Sequence, residues 1–201
     1  MKEISKDVVA IVRLKDYGYA TEVVSALEEG GIKFIELTLT GAGALEGLTK
    51  AKKYIDNNTA LGIGSVRSEK EAVDSINAGA DFLVTPICIP EIIKSCSDIP
   101  VAMGAYTPTE AAKAHDSGAK YVKIFPARVL GANYIKDILA PLPYLKLIPT
   151  GGIDIGSMRN FLDAGAIGVG IGGNLIPQRA VDEKRFNLIT EVAKEYVKAL
   201  Q

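Results

Sequence analysis

The chain has 201 residues, of which 48% are hydrophobic and 23% are charged, so a disordered or fibrous protein is excluded. Its 23 lysine and arginine residues nearly balance its 24 aspartate and glutamate residues, and this balance disfavours nucleic acid as a partner. The sequence contains neither a run of 18 apolar residues nor a signal-type N-terminus, so we expect a cytoplasmic protein without a membrane partner.

Eight apolar runs along the chain are predicted to form buried β-strands. Four of them share a pattern in which a glycine at a helix end precedes the run, at residues 31–36, 79–84, 118–123 and 165–170. Each of these glycines can take the left-handed conformation that ends a helix. The other four runs alternate with this repeat, at residues 8–12, 60–63, 100–103 and 146–149.

Helical patterns separate the strands, for example at residues 19–29, 68–78, 108–117 and 186–200. In the second of these, Ser68 and Glu71 fit a capping box. Alternation of strand and helix, eight times over, predicts an α/β protein with the (β/α)8 TIM-barrel fold. We expect a single domain over residues 1–201, because no linker or low-complexity tract divides the chain. The alternative architecture is an open doubly wound sheet.

The repeat also predicts which side chains point into the barrel. The fifth residue after each repeat glycine lies on an even-numbered strand, so these four residues should share one interior layer; they are Glu36, Val84, Lys123 and Gly170. A glutamate and a lysine are unusual in a barrel core, and strands 2 and 6 face each other across the axis. The pattern therefore predicts a small-molecule site, with a buried structural ion pair as the alternative.

Lys123 and Glu36 together indicate covalent chemistry on a carbonyl compound. A lysine removed from water gives up its proton more easily, and the neutral amine can attack a carbonyl to form a Schiff base. A carboxylate across the pocket can then move protons between the substrate carbon, the intermediate and water. We expect Lys123 to be the nucleophile and Glu36 to be the general acid and base.

Residues at other predicted strand ends suit the charged parts of a substrate. Arg13 follows the first strand, where its guanidinium can bind a carboxylate or phosphate or form an ion pair at the rim. Ser65 ends the third strand beside Gly64 and is equally consistent with a turn. Glycine clusters at residues 149–152 and 170–174 are typical of phosphate-binding loops. The second cluster does not match a dinucleotide fingerprint, so we prefer a phosphate monoester to NAD.

The cysteines and the histidine give no indication of a metal site, a disulfide or a cofactor. Cys88 and Cys96 lack metal-ligand spacing and are expected to be free thiols. His115 is the only histidine of the chain and lies in a predicted helix, which disfavours a Ser-His-Asp triad.

Six motifs together resemble the KDPG/KHG aldolases, class I aldolases that act on 2-dehydro-3-deoxy-6-phosphogluconate or 4-hydroxy-2-oxoglutarate. In chain order they are IVR at 11–13, IELT at 35–38, GIGSV at 62–66, TPTE at 107–110, VKIFPA at 122–127 and PTGGI at 149–153. The resemblance covers nearly the whole chain, and the VKIFPA motif is the most specific. It implies a metal-independent (β/α)8 lyase without a cofactor, typically a homotrimer, that cleaves the phosphogluconate to pyruvate and D-glyceraldehyde 3-phosphate.

The resemblance also implies roles for individual residues. Lys123 matches the Schiff-base lysine and Glu36 the general acid and base, in agreement with the repeat. The other matched positions are Arg13 and Ser65 around the pyruvate carboxylate, Pro86 and Phe125 in the pocket wall, and Gly151, Gly152 and Gly172 in the phosphate loops.

Some positions depart from the family pattern or bear on the substrate. Ser65 stands where threonine is usual, and Thr40 lies near a position where some members carry a substrate-binding arginine. Gly173 replaces a serine that helps to hold phosphate, with Asn174 as a candidate substitute. At Thr150, gluconate-type members tend to have threonine and galactonate-type members valine. We therefore expect Thr150 to contact the C4 hydroxyl of the phosphogluconate.

Two functions of other classes fit the same residues. One is a barrel that binds a keto acid without converting it. The other is a sugar-phosphate isomerase or epimerase, in which Glu36 is the base and Lys123 is only an electrostatic partner. Trapping of a covalent pyruvate adduct would separate the aldolase from both.

Overall fold

The computed structural model contains eight parallel strands in one sheet that curves into a barrel, and it describes residues 3–96 and 99–200. The strands are β1 (Asp7–Val12), β2 (Phe34–Thr38), β3 (Ala60–Gly64), β4 (Leu83–Val84), β5 (Val101–Ala105), β6 (Tyr121–Ile124), β7 (Leu147–Pro149) and β8 (Gly168–Ile171). Consecutive strands from β1 to β7 pair with each other, and β8 pairs with β1. A bridge between Thr150 and Gly170 links the ends of β7 and β8. The predicted (β/α)8 barrel is confirmed, and the open doubly wound order is excluded.

Eight α-helices surround the strands in the described part of the chain. They are α1 (Ala20–Glu29), α2 (Ala44–Ala51), α3 (Glu69–Asn77), α4 (Pro108–Asp116), α5 (Ala127–Leu139), α6 (Met158–Asp163), α7 (Gln178–Asp182) and α8 (Phe186–Ala199). The regular alternation is interrupted after β4, where a short 3-10 helix (Pro90–Ser95) replaces an α-helix. Pro90 is the first residue of this helix, a position where the missing backbone N–H of proline is tolerated.

The repeat glycines end four helices in the predicted way. Gly31, Gly79, Gly118 and Gly165 have φ angles of +91°, +96°, +103° and +104°. Each lies two residues beyond the last residue of its helix, at α1, α3, α4 and α6. This left-handed position favours glycine because a side chain there would be strained. The glycines therefore fix where each following even-numbered strand begins, which is why a count of five residues from them locates one interior layer.

The cap at the start of α3 differs in one half from the predicted capping box. Ser68 accepts a hydrogen bond from the Glu71 backbone N–H at 3.2 Å, as predicted. The Glu71 carboxylate accepts from the backbone N–H of Arg67 at 2.6 Å instead of that of Ser68. A complete capping box is found at α4, between Thr107 and Glu110.

The lower half of the barrel interior, at the N-terminal ends of the strands, is apolar. We call its buried residues the floor cluster; they are Ile4, Val9, Phe34, Ala60, Phe82, Val84, Ala102, Tyr121 and Ile148. Ile4 precedes β1 and closes this end, with its backbone N–H donating to the Tyr121 hydroxyl at 3.3 Å. Gly168 leaves the space for Ile4, since a Cβ there would lie 2.7 Å from the Ile4 side chain. Among the described residues no helix is long and apolar enough to cross a membrane.

Candidate active site

Lys123 on β6 and Glu36 on β2 meet inside the barrel, just above the floor cluster. The Lys123 Nζ lies 3.7 Å from the Glu36 Oε1, and the two side chains are 9% and 2% exposed. This distance is too long for a hydrogen bond. The Glu36 Oε1 is buried and has no hydrogen-bond partner among the described residues. A structural ion pair would be expected to satisfy its buried oxygens, so this pair has unused hydrogen-bonding capacity for a ligand.

Gly64 on β3 provides the space that the Glu36 carboxylate occupies. A Cβ at position 64 would overlap the Glu36 Oε1, so any side chain there would displace the carboxylate. Gly62, one step lower on the same face of β3, accommodates the Phe82 ring, whose nearest atoms would lie 2.6 Å from a Cβ. Gly62 therefore makes room for the apolar floor, and Gly64 makes room for the carboxylate of the candidate site.

A small cavity of about 20 Å³ lies beside the Lys123 and Glu36 side chains. Its lining includes Ile11, Thr150 and Gly170, together with residues of the floor cluster such as Val84. The four residues that the repeat assigned to one layer thus border one cavity. A volume of this size holds about one water molecule. A substrate must therefore reach the lysine from above, at the C-terminal ends of the strands.

A wider cleft of about 480 Å³ opens above this cavity and contains most of the other predicted site residues. The sequence candidates along it are Arg13, Phe125, Thr150, Gly151, Gly152, Gly172 and Gly173. Phe125 packs near the lysine, whose Nζ lies 5.6 Å from the centroid of the Phe125 ring. Ile11 and Thr150 border both the small cavity and the cleft. The structure thus places the glycine loops directly above the reactive pair.

The two glycine loops adopt conformations that depend on the absence of side chains. Gly151 and Gly152 have φ angles of +97° and +74°. A Cβ at Gly152 would lie 2.6 Å from the Arg128 stem at the start of α5, which packs against the loop. Gly173 has open space around it. The Asn174 amide donates to the Ile153 carbonyl at 3.1 Å, so this side chain links the two loops. To bind phosphate as predicted, the Asn174 amide would have to donate to the phosphate as well as to the Ile153 carbonyl.

Ser65 and Pro86 lie at the ends of β3 and β4, on the same face of the barrel as the cleft. Ser65 is half-buried and has a φ of +61°, which is unusual for a residue other than glycine. Pro86 packs against Gly104 of β5, where a Cβ would overlap its backbone. Both residues are therefore on the predicted side of the barrel, although the contacts that bring Lys123 and Glu36 together do not involve them.

Tyr17 connects the ends of β1 and β2 and was not identified from the sequence. Its buried hydroxyl donates to the Val12 carbonyl at 2.7 Å and accepts from the Thr38 backbone N–H at 2.8 Å. Burial raises the pKa of the Tyr17 hydroxyl, so it stays protonated. Val12 directly precedes Arg13, and Thr38 lies two residues after Glu36. Tyr17 therefore holds in place the two strand ends that carry these candidates. Its position in a loop gave no periodic signal.

The two cysteines and the histidine do not line the small cavity or the cleft. Cys88 and Cys96 are free, as predicted, and burial raises the pKa of both thiols, which disfavours the reactive thiolate. His115 on α4 packs against Tyr144, with 4.7 Å between the ring centroids. Within residues 3–96 and 99–200, no group of three or more histidine, cysteine, aspartate or glutamate side chains is arranged to hold a metal ion.

Comparison with known proteins relates this architecture to one family. The family model described as "KDPG and KHG aldolase" matches residues 2–192. The KHG/KDPG aldolase of Escherichia coli K12 is 28% identical over 194 residues, which cover 94% of this chain and 90% of that protein.

Three solved structures are similar over most of the chain. One described as native KDPGal has a TM-score of 0.88 at 27% identity and covers 96% of this chain and 93% of its own. The KDPG aldolase of Legionella pneumophila, with pyruvate captured as a covalent carbinolamine, has a TM-score of 0.84 at 26% identity, with coverages of 95% and 94%. A porous cage designed by fusing symmetric oligomeric domains has a TM-score of 0.88 at 27% identity, with coverages of 96% and 72%.

The barrel and the family match define the class of protein as a (β/α)8 lyase that breaks carbon–carbon bonds. More specifically, the chain belongs to the KDPG/KHG aldolase family.

Proposed function

We propose that this protein is a class I aldolase that cleaves 2-dehydro-3-deoxy-6-phosphogluconate to pyruvate and D-glyceraldehyde 3-phosphate. The observation that carries the proposal is the buried pair of Lys123 and Glu36, in which the Glu36 Oε1 has no hydrogen-bond partner among the described residues. An amine and a carboxylate separated by 3.7 Å can act on the same carbon atom of a bound keto acid.

In the first half of the reaction, the neutral amine of Lys123 attacks C2 of the keto acid and forms a carbinolamine. Glu36, in its protonated form, gives a proton to the departing hydroxyl, which leaves as water, and a protonated imine remains. The Glu36 carboxylate then takes the proton of the C4 hydroxyl. The C3–C4 bond breaks, its electron pair passes to the imine as an enamine, and C4 becomes the carbonyl carbon of the aldehyde.

In the second half, Glu36 returns its proton to C3 of the enamine. Water then adds to C2 of the resulting protonated imine and gives a proton to the Glu36 carboxylate, which restores its protonated form. Collapse of the carbinolamine releases pyruvate and the free amine of Lys123. The same carboxylate thus serves as acid and base in turn. Among the described residues no protein group hydrogen-bonds the Glu36 Oε1, so this oxygen can exchange protons with a bound substrate.

The cleft above the pair suits the remaining parts of the substrate. Arg13 and Ser65 are proposed to bind the carboxylate of the keto acid, with Pro86 and Phe125 as apolar walls. Thr150 is proposed to contact the C4 hydroxyl. Backbone N–H groups in the two glycine loops, at 151–152 and 172–173, are proposed to hold the phosphate, because such loops offer donors without side-chain obstruction.

Borohydride trapping tests the chemistry directly. Incubation with pyruvate and borohydride should reduce the imine and add a stable mass to Lys123, which peptide mapping would locate. The keto-acid-binding barrel and the isomerase would form no adduct. An unlabelled protein, or an adduct on another lysine, would remove the class I mechanism.

The open space at Gly173 favours a second substrate of the same chemistry. Gly173 has no side chain to bond a phosphate, whereas related proteins have a serine there. An unphosphorylated substrate such as 4-hydroxy-2-oxoglutarate therefore loses no side-chain contact at this position. The specificity constants for this acid, the phosphogluconate and the phosphogalactonate decide between the three. We expect the phosphogluconate to give the highest value.

We further propose that the protein is a cytoplasmic homotrimer. Exposed apolar side chains near the C-terminal ends of the strands, such as Ile87 and Val129, are candidates for burial between subunits. The free thiols of Cys88 and Cys96 suit a reducing compartment. Light scattering should give three times the chain mass of 21.3 kDa. A monomer or a dimer at micromolar concentration would contradict the trimer.

A further inference from the structure

Arg128 directly follows the VKIFPA motif and lies at the start of α5, next to the glycine loop that follows β7. The backbone N–H of Arg128 donates to the Gly151 carbonyl at 3.0 Å. The preceding N–H, that of Ala127, donates to the Thr150 carbonyl at 2.8 Å. These two bonds join the first turn of α5 to the loop. The backbone therefore fixes where the Arg128 side chain starts relative to the loop.

The aliphatic stem of Arg128 contacts the loop at Gly152. A Cβ added to Gly152 would lie 2.6 Å from both the Cβ and the Cδ of Arg128, and 3.0 Å from its Cγ. The guanidinium begins one bond beyond Cδ, so its N–H groups can reach an anion that is bound at this loop. Any side chain at position 152 would collide with the stem. The glycine is therefore needed for this contact as well as for its φ of +74°.

The Arg128 guanidinium has unused hydrogen-bond donors. Four of the six arginines of the chain donate to a carboxylate or to a backbone carbonyl; they are Arg67, Arg159, Arg179 and Arg185. The other two, Arg13 and Arg128, have no such partner within residues 3–96 and 99–200. Arg13 lines the cleft, and Arg128 packs against a loop that lines it. Both arginines with unused donors therefore lie at the cleft.

The phosphate of the proposed substrate needs more positive charge than the cleft lining supplies. A phosphate monoester carries a charge of about −1.5 to −2 at pH 7. Arg13 is the only charged residue in the described lining of the cleft, and it is proposed to bind the keto-acid carboxylate. Gly173 brings no side chain to the second loop, and the Asn174 amide already donates to a backbone carbonyl. Backbone N–H groups are neutral donors, so a second cation is required to balance the phosphate.

We propose that Arg128 is a substrate-binding residue that recognises the phosphate group. This inference rests on the proposed function, which puts the phosphate at the two glycine loops. Arg128 is exposed, so rotation about its terminal bonds can bring the guanidinium to the phosphate. The planar guanidinium suits this ligand because two of its N–H groups can donate to two phosphate oxygens side by side. Arg128 thus selects a phosphorylated substrate, whereas Arg13 binds the carboxylate that every keto acid carries.

The test compares kcat/KM for two substrates that differ only in the phosphate, 2-dehydro-3-deoxy-6-phosphogluconate and 2-dehydro-3-deoxygluconate. Arg128→Gln should reduce the preference for the phosphorylated acid by about 10- to 100-fold, the usual effect of losing charge-assisted hydrogen bonds. The loss should come from a higher KM for the phosphorylated acid. The value of kcat/KM for the unphosphorylated acid and the rate of formation of the borohydride-trapped pyruvate adduct should not change, because neither involves a phosphate.

Arg159→Gln is the matched control, because it makes the same change in net charge at another exposed arginine, on α6. It should retain the full preference. Arg128→Lys keeps the charge but loses the paired donors, so its preference should be intermediate. Added KCl should lower kcat/KM for the phosphorylated acid more in the unmodified protein than in Arg128→Gln, since salt screens the attraction. Light scattering should give the same mass for the Arg128 variants as for the unmodified protein.

The outcomes separate this inference from the proposed function. If the unmodified protein forms no pyruvate adduct, the proposed aldolase and this inference are both overturned. If it forms the adduct but cleaves both acids equally well, the covalent chemistry stands and phosphate recognition is overturned. A preference that persists in Arg128→Gln, or that falls equally in Arg159→Gln, overturns the role of Arg128 alone. An equal loss for both acids with a smaller mass in light scattering does the same, because Arg128 then acts between subunits.

Discussion

The floor of the barrel and the layer directly above it are built from the same strands but from opposite kinds of side chain. On β2, Phe34 belongs to the floor and Glu36 lies two residues further on; on β6, Tyr121 and Lys123 have the same relation. Two residues along a strand return to the same face. A step of about 7 Å thus changes a packed aromatic layer into one with two facing charges.

This difference shows how the molecule divides stability and chemistry. Desolvation of a charge costs several kcal/mol, so the Glu36 and Lys123 layer is an unfavourable element of the fold. The apolar floor and the helix layer must offset that cost. Such a division is expected where a site violates the rules that the rest of the sequence follows.

Lys123→Met removes the nucleophile from the upper layer. We expect cleavage to fall by about 10⁴-fold or more and the pyruvate adduct to disappear, because no other group can form the imine. Thermal stability should fall, since removal of one partner of the buried pair leaves the Glu36 carboxylate without a countercharge. Lys113→Met, at an exposed position of α4, is the control and should keep both activity and adduct. Retained cleavage in Lys123→Met would contradict the layer's assigned role.

Glu36→Gln keeps the shape of the carboxylate but removes its ability to carry a proton. The adduct with pyruvate should still form, while exchange of the pyruvate C3 protons with solvent, followed by NMR, should slow by about 10²- to 10⁴-fold. Glu69→Gln, at an exposed position of α3, should exchange at the normal rate. Normal exchange in Glu36→Gln would exclude this residue from proton transfer.

Gly64→Ala and Gly62→Ala make the same change at two heights of β3. At Gly64 the new Cβ displaces the Glu36 carboxylate, and we expect activity to fall by about 10²-fold, as for a catalytic group misplaced by about 1 Å. At Gly62 it presses on the Phe82 ring, so we expect a cost of about 1–3 kcal/mol in the free energy of unfolding. Gly64→Ala should therefore show the larger loss in kinetic assays, and Gly62→Ala should show the larger loss of stability in denaturation. An identical profile for both would refute the division between floor and site.

Thr150→Val removes a hydroxyl from above the upper layer, where the small cavity meets the cleft. Cleavage should favour the phosphogluconate over the phosphogalactonate epimer by about tenfold in the unmodified protein, since an unpaired polar group costs about 1–3 kcal/mol. The variant should lose most of this preference in the ratio of kcat/KM values. Thr190→Val, a buried threonine that bonds to Ala26 of α1, should retain it. Equal values for the two epimers in the unmodified protein would count against the contact.

Tyr17→Phe affects the upper strand ends without changing any proposed reacting group. The Thr38 N–H and the Val12 carbonyl lose their shared partner, at a cost of about 1–3 kcal/mol in the free energy of unfolding. Chemical denaturation measures this loss. Tyr54→Phe, at an exposed position, should change the unfolding free energy by less than about 0.5 kcal/mol. A loss in Tyr17→Phe no larger than in this control would show that the strand ends do not depend on the hydroxyl.

The comparison of the two regions also shows what the sequence could predict. The convergence of Glu36 and Lys123 was predictable because each repeat glycine fixes the start of a strand, and the side-chain period of two then fixes the face. The relation of Gly64 to Glu36 depends on the pairing of two neighbouring strands, so no local pattern indicates it. Tyr17 lies in a loop, where hydrogen bonds to distant backbone groups have no periodic signature. The 3-10 helix between β4 and β5 lies outside the glycine repeat, so the repeat gave no information on the form of this connection.

The Ile4 side chain at the lower end of the barrel has a kinetic consequence. That end is filled by Ile4 and the floor cluster. The barrel interior formed by the described residues therefore opens only at the C-terminal ends of the strands. The product that is bonded to Lys123 must then leave after the product that lies above it in the cleft. Under the proposed mechanism the aldehyde therefore leaves first and the keto acid last. Product inhibition should reflect this order, with pyruvate competing directly with the substrate for the empty enzyme and the aldehyde acting only on the loaded form.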